Sequence, residues 1–211
     1  DIPVIYGYRK AGGIITFAET GSTDNKYLWV AYVFSEGLVE GIRELFIDDY
    51  QIASSYIASI NSGAVTTITT DKYKDRVQFQ FFPGTYFANA NSSTLGTTVK
   101  NGIFNGSPSF KSSMNFNGLQ LGLLGRRVAS LLVDAESYGY DSAPVRYSTN
   151  PAEILLDYLR NPRYGKGLTN DDIHWDSWKK AARKCNQTVT YITGVDGPIL
   201  TSNYVLPTDQ T

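Results

Sequence analysis

Cysteine and histidine are scarce in this 211-residue sequence, which contains one of each, Cys185 and His174. A single cysteine excludes an internal disulfide and favours folding in a reducing cytoplasm. One cysteine and one histidine also cannot supply a zinc site. Both residues fall on one predicted helix, where eleven positions correspond to about 16 Å along the axis. That separation excludes a Cys–His dyad, because the two side chains of a dyad must lie within hydrogen-bond reach.

Other catalytic patterns are missing too. No G-x-S-x-G segment exists to serve as the nucleophile elbow of a Ser-His-Asp triad. Calcium loops need alternating acidic residues, whereas Asp48-Asp49 and Asp171-Asp172 are adjacent pairs. Gly12-Gly13 lacks the G-x-G-x-x-G spacing of a phosphate loop. The 20 acidic residues leave a glycosidase pair open, but no pattern selects one. We therefore expect no catalytic, cofactor-binding or metal-binding residues and no enzymatic activity.

Charged residues and long apolar runs are also few. Charged residues make up 18% of the sequence, the net charge is −1 and the pI is about 5.9. This balance is unlike the basic surface of a nucleic-acid binder. No apolar run reaches the ~18 residues that a membrane-spanning helix needs, so we expect no membrane span.

Aromatic residues and glycine are plentiful instead, with 15 Tyr, 10 Phe and 19 Gly, which favours β structure over a helical bundle. The stretch Tyr27–Phe34 is apolar or aromatic on both faces, which predicts a strand that is covered on both sides. Turn residues follow at Ser35–Gly41. A second strand is predicted over Ile42–Ile47 and is stopped by Asp48-Asp49. Two strands so close in sequence predict an antiparallel hairpin or a corner.

Three further segments predict strands. The first, Ile2–Phe17, has the pattern strand, turn, strand, with Lys10–Gly13 as the turn. The second, Arg76–Phe81, alternates apolar and polar residues, which predicts one buried face. The third, Phe116–Val133, is apolar, and its glycines favour a strand with a bend over a helix.

The remaining β segments lie nearer the C-terminus. Arg126-Arg127 has no other basic cluster beside it in the sequence, so we interpret both arginines as surface or interface residues. Pro144–Tyr147 is predicted to be extended. The tail from Thr188 to Thr211 predicts a hairpin around Gly194–Pro198, followed by a strand to Leu206.

Two helices are predicted, over 150–160 and 170–185. Asn150 is the expected N-cap of the first, with Pro151 at its first position and Glu153 completing a capping box. Its apolar stripe comprises Ile154, Leu155, Tyr158 and Leu159. The second helix has acidic residues in its first turn and basic residues near its end, which suits the helix dipole. Its expected inward residues are Ile173, Trp178, Ala182 and Cys185.

These elements predict a mainly β (α+β) fold. Residues 1–149 are expected to form a β-sandwich or barrel-like domain with an insertion at about 53–115. Residues 150–211 are expected to form a small α+β region with the two helices. Ser, Thr, Asn and Gly dominate 53–115, which indicates either an exposed, loop-rich insertion or a surface that touches another subunit.

Two blocks of motifs carry a resemblance to a known family. The first block comprises Ile2–Gly7, Gly12–Ile15, Tyr27–Val30, Ser35–Gly37, Glu40–Ile42 and Ile47–Asp49. The second comprises Asn150–Ala152, Asp157–Leu159 and Arg163–Leu168. In this order and combination they resemble the central hub proteins of long-tailed phages, a group that includes the lambda-type tip attachment protein. Residues 53–115 match nothing in that pattern and are interpreted as a lineage-specific insertion.

The resemblance implies a homotrimer that closes the distal end of the tail tube, bears the fibre or receptor-binding parts and opens when DNA leaves. The implied partners are other hub copies, the distal tail, tape-measure and fibre proteins, and DNA that passes without specific binding. The implied location is the tail tip of the virion, after assembly in the host cytoplasm. Because Tyr204–Thr211 resembles a strand-to-turn step before a helix, we expect the native polypeptide to continue past Thr211.

Two alternative functions belong to other classes. One is a tail-associated glycan or peptidoglycan hydrolase, which would show a cleft with two facing carboxylates. The other is a carbohydrate-binding module, which would show a row of exposed aromatic rings. A hub component would instead show flat apolar sheet edges.

Overall fold

The computed structural model of the protein describes residues 2–21, 27–70, 72–84, 109–111, 119–132 and 143–206. Its strands are β1 (Val4–Tyr6), β2 (Tyr8–Gly12), β3 (Ile14–Gly21), β4 (Tyr27–Val33), β5 (Val39–Ile47), β6 (Tyr50–Gln51), β7 (Thr66–Thr67), β8 (Val77–Phe79), β9 (Ser109–Lys111), β10 (Leu119–Ala129), β11 (Val145–Tyr147), β12 (Thr188–Thr190), β13 (Asp196–Pro198) and β14 (Tyr204–Leu206). Its helices are α1 (Ile57–Asn61), α2 (Pro151–Arg160) and α3 (Trp175–Cys185). The predicted mainly β, α+β fold is confirmed.

Two five-stranded sheets make up most of the described β structure. In the first, called the β10 sheet, β5 and β2 pair with opposite sides of β10, β11 pairs with the C-terminal end of β10, and β6 pairs with β5. In the second, called the β4 sheet, the strand order is β3-β4-β9-β8-β7. The main core contains side chains from both sheets, including Leu45 and Leu121 from the β10 sheet and Val30 and Phe79 from the β4 sheet. Burial of this shared apolar surface is what holds the sheets together.

Strand β4 is covered at its centre on both faces, as predicted, because the consecutive residues Val30 and Ala31 are both buried. The two strands that follow each other there form a corner and not a hairpin. β4 pairs with β3 and β9, whereas β5 pairs with β10 and β6. The chain therefore changes sheets between Val33 and Val39, and Gly37 takes a positive φ of 86° in this connection.

Strand β5 begins at Val39, earlier than the predicted Ile42. Gly41 lies inside the strand with φ 155°, close to the Asn61 side chain. That side chain accepts a hydrogen bond from the Ile42 amide and donates one to the Ile42 carbonyl, both at 2.8 Å. The Asn61 side chain thus makes the two backbone hydrogen bonds that a neighbouring strand would otherwise make, at the point where the pairing of β5 with β10 shifts register. As predicted, the strand stops at Asp48-Asp49, which both have positive φ and form the two-residue turn to β6.

The N-terminal segment departs from its predicted turn. Lys10 and Gly12 lie within β2, and the breaks fall at Gly7 and Gly13 instead. A turn at 10–13 would have paired the flanking strands with each other. Instead β2 pairs with β10, and β3 pairs with β4. A short unpaired step at Gly13 is enough for the chain to pass from one sheet to the other.

The expectation of an exposed, loop-rich region at 53–115 is wrong for its first part. Ile60, Ile68 and Tyr73 are fully buried in the main core. Val77, Phe79 and Phe81 share the buried face that their alternation predicted. Residues 71, 85–108 and 112–115 lie outside the described residues, and the boundaries of the insertion and of the two domains remain predictions.

Helix α2 begins as predicted, with the Asn150 side chain accepting from the Ala152 amide at 3.0 Å and Pro151 at the first position. Its predicted apolar stripe is partly wrong, because Leu155 is 48% exposed whereas Leu156 is fully buried. The reason is that the helix packs on β10 and on α3. Its buried side is therefore broader than one stripe and includes two acidic residues, Glu153 and Asp157.

Helix α3 begins at Trp175 and not at 170, because Asn170–Asp172 forms a separate 3-10 turn capped by Thr169 and Asp172. Its predicted inward residues Ala182 and Cys185 are buried. The predicted terminal hairpin is confirmed as β12–β13, and β14 then pairs with β1. Among the helices of the described ranges, none has the length and apolar character needed to cross a membrane.

Candidate interaction surface

Strand β3 is the most exposed long strand among the described residues and lies at the end of the β4 sheet. Every side chain from Ile14 to Glu19 is exposed, so the strand faces solvent on both sides. Ile15 is 57% exposed, and Phe17 and the neighbouring Trp29 on β4 are also open. We call the apolar group Ile14, Ile15, Phe17 and Trp29 the β3 edge.

The β3 edge has little protection against association. Glu19 is the one charged residue between Ile14 and Glu19, and the strand contains neither lysine nor proline there. The pairing with β4 shifts register between Ile15 and Phe17, and the Thr16 hydroxyl donates to the Ala31 carbonyl at 3.3 Å. Such a bulge interrupts the regular backbone pattern that an added strand would need. What the edge offers a partner is therefore its apolar side chains more than its backbone.

The β3 edge rests on a fixed support. At Gly13, immediately before β3, a Cβ would lie 2.8 Å from the Phe34 ring, so the chain passes directly against that ring. Tyr32 stands beside Phe34, with ring centroids 6.0 Å apart. Burial raises the pKa of Tyr32 to about 12, with a smaller contribution from the Asp48 charge, so its hydroxyl stays protonated at neutral pH. The apolar side chains are presented by a packed sheet and not by a loop.

A second feature, a buried ionic cluster, lies where β1, β10 and α2 meet. Arg126 is 5% exposed, and its Nε donates to Asp157 Oδ2 at 2.8 Å. The same oxygen accepts from the Tyr6 hydroxyl at 2.6 Å, and Tyr164 lies beside both groups. The interpretation of Arg126 as a surface or interface residue is therefore wrong. Gly37 makes this burial possible, since a Cβ there would lie 2.0 Å from Arg126 Nη1.

The electrostatics of this cluster are those of a structural pair. Burial acts to lower the pKa of the Arg126 guanidinium, but the adjacent Asp157 carboxylate outweighs it and the pKa is raised. Burial and the same carboxylate raise the pKa of Tyr6. Burial also raises the pKa of Tyr164, against the opposing charge of Arg126. The Asp157 carboxylate of α2 bonds to the Arg126 guanidinium of β10 and to the Tyr6 hydroxyl of β1, so it connects these three elements.

Comparison with known proteins adds a partial match. No family model matches the chain. A stretch of 48 residues is 40% identical to baseplate hub protein pb3 of Escherichia phage T5. Over that stretch, this chain is similar to a phage baseplate hub protein. The stretch amounts to 23% of this chain and 5% of the length of pb3.

Glu153 belongs to a second buried acidic site and does not complete the predicted capping box. Its carboxylate accepts from the Leu131 amide at 2.9 Å, from the Ser148 hydroxyl and from Arg146 Nη2 at 3.2 Å. These bonds connect α2 to the end of β10 and to β11. The Glu153 side chain therefore bonds to the end of β10, to β11 and to Ser148 in a buried hydrogen-bond network and does not cap the N-terminus of α2.

The structure keeps the two scarce residues apart, as predicted. His174 caps the start of α3, with Nδ1 accepting from the Ser177 amide at 3.3 Å, while Cys185 is the last residue of the helix and is buried. Across the described parts of the chain, no group of three or more His, Cys, Asp or Glu side chains is placed to hold a metal ion.

Two features escaped the sequence reasoning. The buried pair of Arg126 and Asp157 joins residues 31 positions apart, and neither position has an apolar or periodic signal that would reveal the contact. The exposed tip of the β12–β13 hairpin, with Ile192 and Val195, did have a signal, because two β-branched apolar residues flank the predicted turn glycine at 194.

Proposed function

We propose that this chain is a structural, non-enzymatic part of a phage tail tip, within a baseplate hub. In this role it helps to close the tail tube and connects the tube to host-recognition parts during DNA delivery. The observation that carries the proposal is the 40% identity to a baseplate hub protein over 48 residues. The ordered motifs of the N-terminal segment and of α2 support the same role.

We propose that the chain works as one protomer of a homotrimer and that the β3 edge is part of the contact between copies. Ile14, Ile15, Phe17 and Trp29 are exposed together on one packed sheet. Covering each such side chain contributes on the order of 1 kcal/mol, because apolar surface leaves water. A ring of identical copies gives this edge a constant partner and removes an aggregation-prone surface.

The two buried acidic residues of α2 support a structural role over hydrolysis. Asp157 and Glu153 are buried, and each is bound by an arginine and by a hydroxyl group. A hydrolase needs a carboxyl group that meets its substrate. The β3 edge combines two isoleucines with two aromatic rings, which suits protein packing better than the row of rings expected of a carbohydrate-binding module. In the hub, the slightly acidic balance lets DNA pass without specific binding, because a basic lumen would hold the phosphates.

The assembly proposal is tested on the intact tail and on the purified chain. In a reconstruction of the tail tip, the copy number of the full hub polypeptide should be a multiple of three, and any other copy number would exclude the trimer. For the purified chain, the double variant Ile15→Lys/Phe17→Lys should remove any self-association measured by light scattering. The matched control Val65→Lys/Leu155→Lys changes two other exposed apolar residues and should leave the mass unchanged.

A further inference from the structure

The β12–β13 hairpin carries an apolar tip. Ile192 is fully exposed and Val195 is 61% exposed. The turn between them is well formed, because the Tyr191 amide donates to the Val195 carbonyl at 2.9 Å and the Gly194 amide donates to the Tyr191 carbonyl at 2.8 Å. Gly194 takes the positive φ that the turn requires. Two large apolar side chains are thus held in water at the end of an ordered hairpin.

A tyrosine lies behind the tip. A Cβ on Gly197 would lie 2.5 Å from the Tyr191 ring, so this ring covers the backbone of the opposite strand. Its hydroxyl donates to the Pro198 carbonyl. The hairpin therefore has an apolar end followed by an amphipathic ring, the order in which side chains occur at a membrane interface.

The base of the hairpin is fixed to the last turn of α3. The Leu200 amide donates to the Cys185 carbonyl at 3.2 Å, and the Ile199 amide donates to the Gln187 carbonyl at 2.9 Å. The helix buries Ala182 and Cys185. Its other sides carry four basic residues, Lys179, Lys180, Arg183 and Lys184, of which Lys179 is half-buried, and the exposed Asp176 lies one turn before Lys180. We call the four basic residues the basic face of α3.

Charge is segregated towards this part of the chain. From Trp175 to Leu200 there are four basic and two acidic residues, whereas the rest of the sequence has 15 basic and 18 acidic residues. Of the two acids, Asp176 lies in the first turn of α3, and Asp196 accepts a hydrogen bond from the Thr190 hydroxyl at 2.6 Å. The end of α3 that holds the hairpin therefore carries a small excess of positive charge.

We infer that the hairpin tip and the basic face of α3 form a peripheral contact site for an anionic lipid surface. Ile192 and Val195 enter the headgroup region, and the basic face attracts lipid phosphates. Three strand residues span about 10 Å, so with the tip inserted the end of α3 lies about one Debye length from the phosphates. This site does not depend on the tail-tip role.

Vesicle flotation of the full chain tests the inference. The probes are vesicles of phosphatidylcholine alone and vesicles in which a quarter of the lipid is phosphatidylglycerol. We expect binding to the second kind and its loss at ~1 M salt, where charges are screened. The variant Lys180→Gln/Lys184→Gln should weaken binding about threefold, because the attraction of each charge to the phosphates is reduced at about one Debye length. The variant Ile192→Asp/Val195→Asp should abolish it, and Ile192→Ser/Val195→Ser should weaken it without adding charge.

Matched controls separate this site from general surface effects. Val65→Asp/Leu155→Asp adds the same charge at other exposed apolar residues, and Lys74→Gln/Lys166→Gln removes two other exposed lysines. Both should bind vesicles like the unmodified chain. Failure to float with phosphatidylglycerol vesicles would overturn the inference, as would equal weakening by the controls. A tip variant that changes the molecular mass but not flotation would show a contact between proteins and would also overturn it. Flotation is scored independently of trimer formation, so either proposal can fail alone.

Discussion

At the scale of single residues, Glu36 in the connection between β4 and β5 is a carboxylate whose two oxygens are unequally satisfied. One carboxylate oxygen lies 3.4 Å from Arg163 Nη1. The other is buried, with no hydrogen-bond partner among the described residues. Burial raises the pKa of Glu36, and the charges of Arg163 and Arg126 oppose that rise without cancelling it. The folded state therefore binds a proton at Glu36 more readily than the unfolded state does.

The raised pKa of Glu36 predicts a pH-dependent effect of Glu36→Gln on stability. A raised folded-state pKa stabilises the fold below the ordinary glutamate range, and that contribution is lost as pH rises through the folded-state pKa. Glutamine is neutral at every pH, so the stability of the variant does not fall when this carboxyl group would ionise. We expect the melting temperature of Glu36→Gln to exceed that of the unmodified chain by more at pH 7 than at pH 4.

The control for this prediction is Glu40→Gln, which removes the acid of a half-exposed ion pair with Arg127. Exposed pairs contribute little, so the effect there should be small. A difference for Glu36→Gln that shrinks between pH 4 and pH 7 would contradict the assignment.

At the scale of elements, helix α2 provides a test of which side of the helix is buried. Leu155 and Leu156 are adjacent and chemically identical, but the first is half exposed and the second is fully buried. Leu156→Ala should lower the free energy of unfolding by ~2–5 kcal/mol, because it removes buried surface and leaves a cavity. Leu155→Ala should change it by less than about 1 kcal/mol. Chemical denaturation of the two variants measures both values, and equal losses would contradict the observed packing.

The helices also show what the sequence could and could not reveal. The cap at Asn150 was predictable because its signals lie within four residues. The buried face was not, because Glu153 and Asp157 look like solvent-facing residues until Arg146 and Arg126 are brought to them by the fold. Local signals identify an element, but its burial depends on partners that are distant in sequence.

The strands show the same limit. The strand β10 and the alternation of Val77, Phe79 and Phe81 could be predicted from local pattern, because glycine and alternating apolar residues favour strand over helix. The passage of the chain from one sheet to the other at Gly13 and at Gly37 could not be predicted. A short break between two strands occurs both where the strands pair with each other and where they belong to different sheets, so the break alone does not tell the two cases apart. The sequence predicted that a hub component would have exposed apolar sheet edges, but it did not identify β3 as that edge. The order of strands in a sheet depends on pairings between residues that are distant in sequence.

At the scale of the whole molecule, the contacts connect the N-terminal and C-terminal segments closely. β1 pairs with β14, and Tyr6 on β1 bonds to Asp157 on α2. Val4 and Val128 pack with Ile154 in one buried cluster. A boundary at residue 149 would cut through these contacts, so the predicted division into 1–149 and 150–211 is open to a direct experiment.

Removing residues 150–211 should prevent the remaining chain from reaching its native state. The truncation removes Asp157 together with the rest of α2 and Tyr164, which pack on Arg126, so a buried ion pair is lost. It also exposes the apolar side chains that Ile154 covers and leaves β1 without β14. A typical domain is stabilised by only ~5–15 kcal/mol, so the loss of these contacts together is enough to unfold the remaining chain. We expect the full chain to unfold in one cooperative transition and the 1–149 fragment to lack a cooperative transition by circular dichroism. A fragment that unfolds cooperatively, with the amide spectrum of the full chain, would establish an independent domain, and the Arg126→Met variant of that fragment would then show whether the buried charge still costs stability.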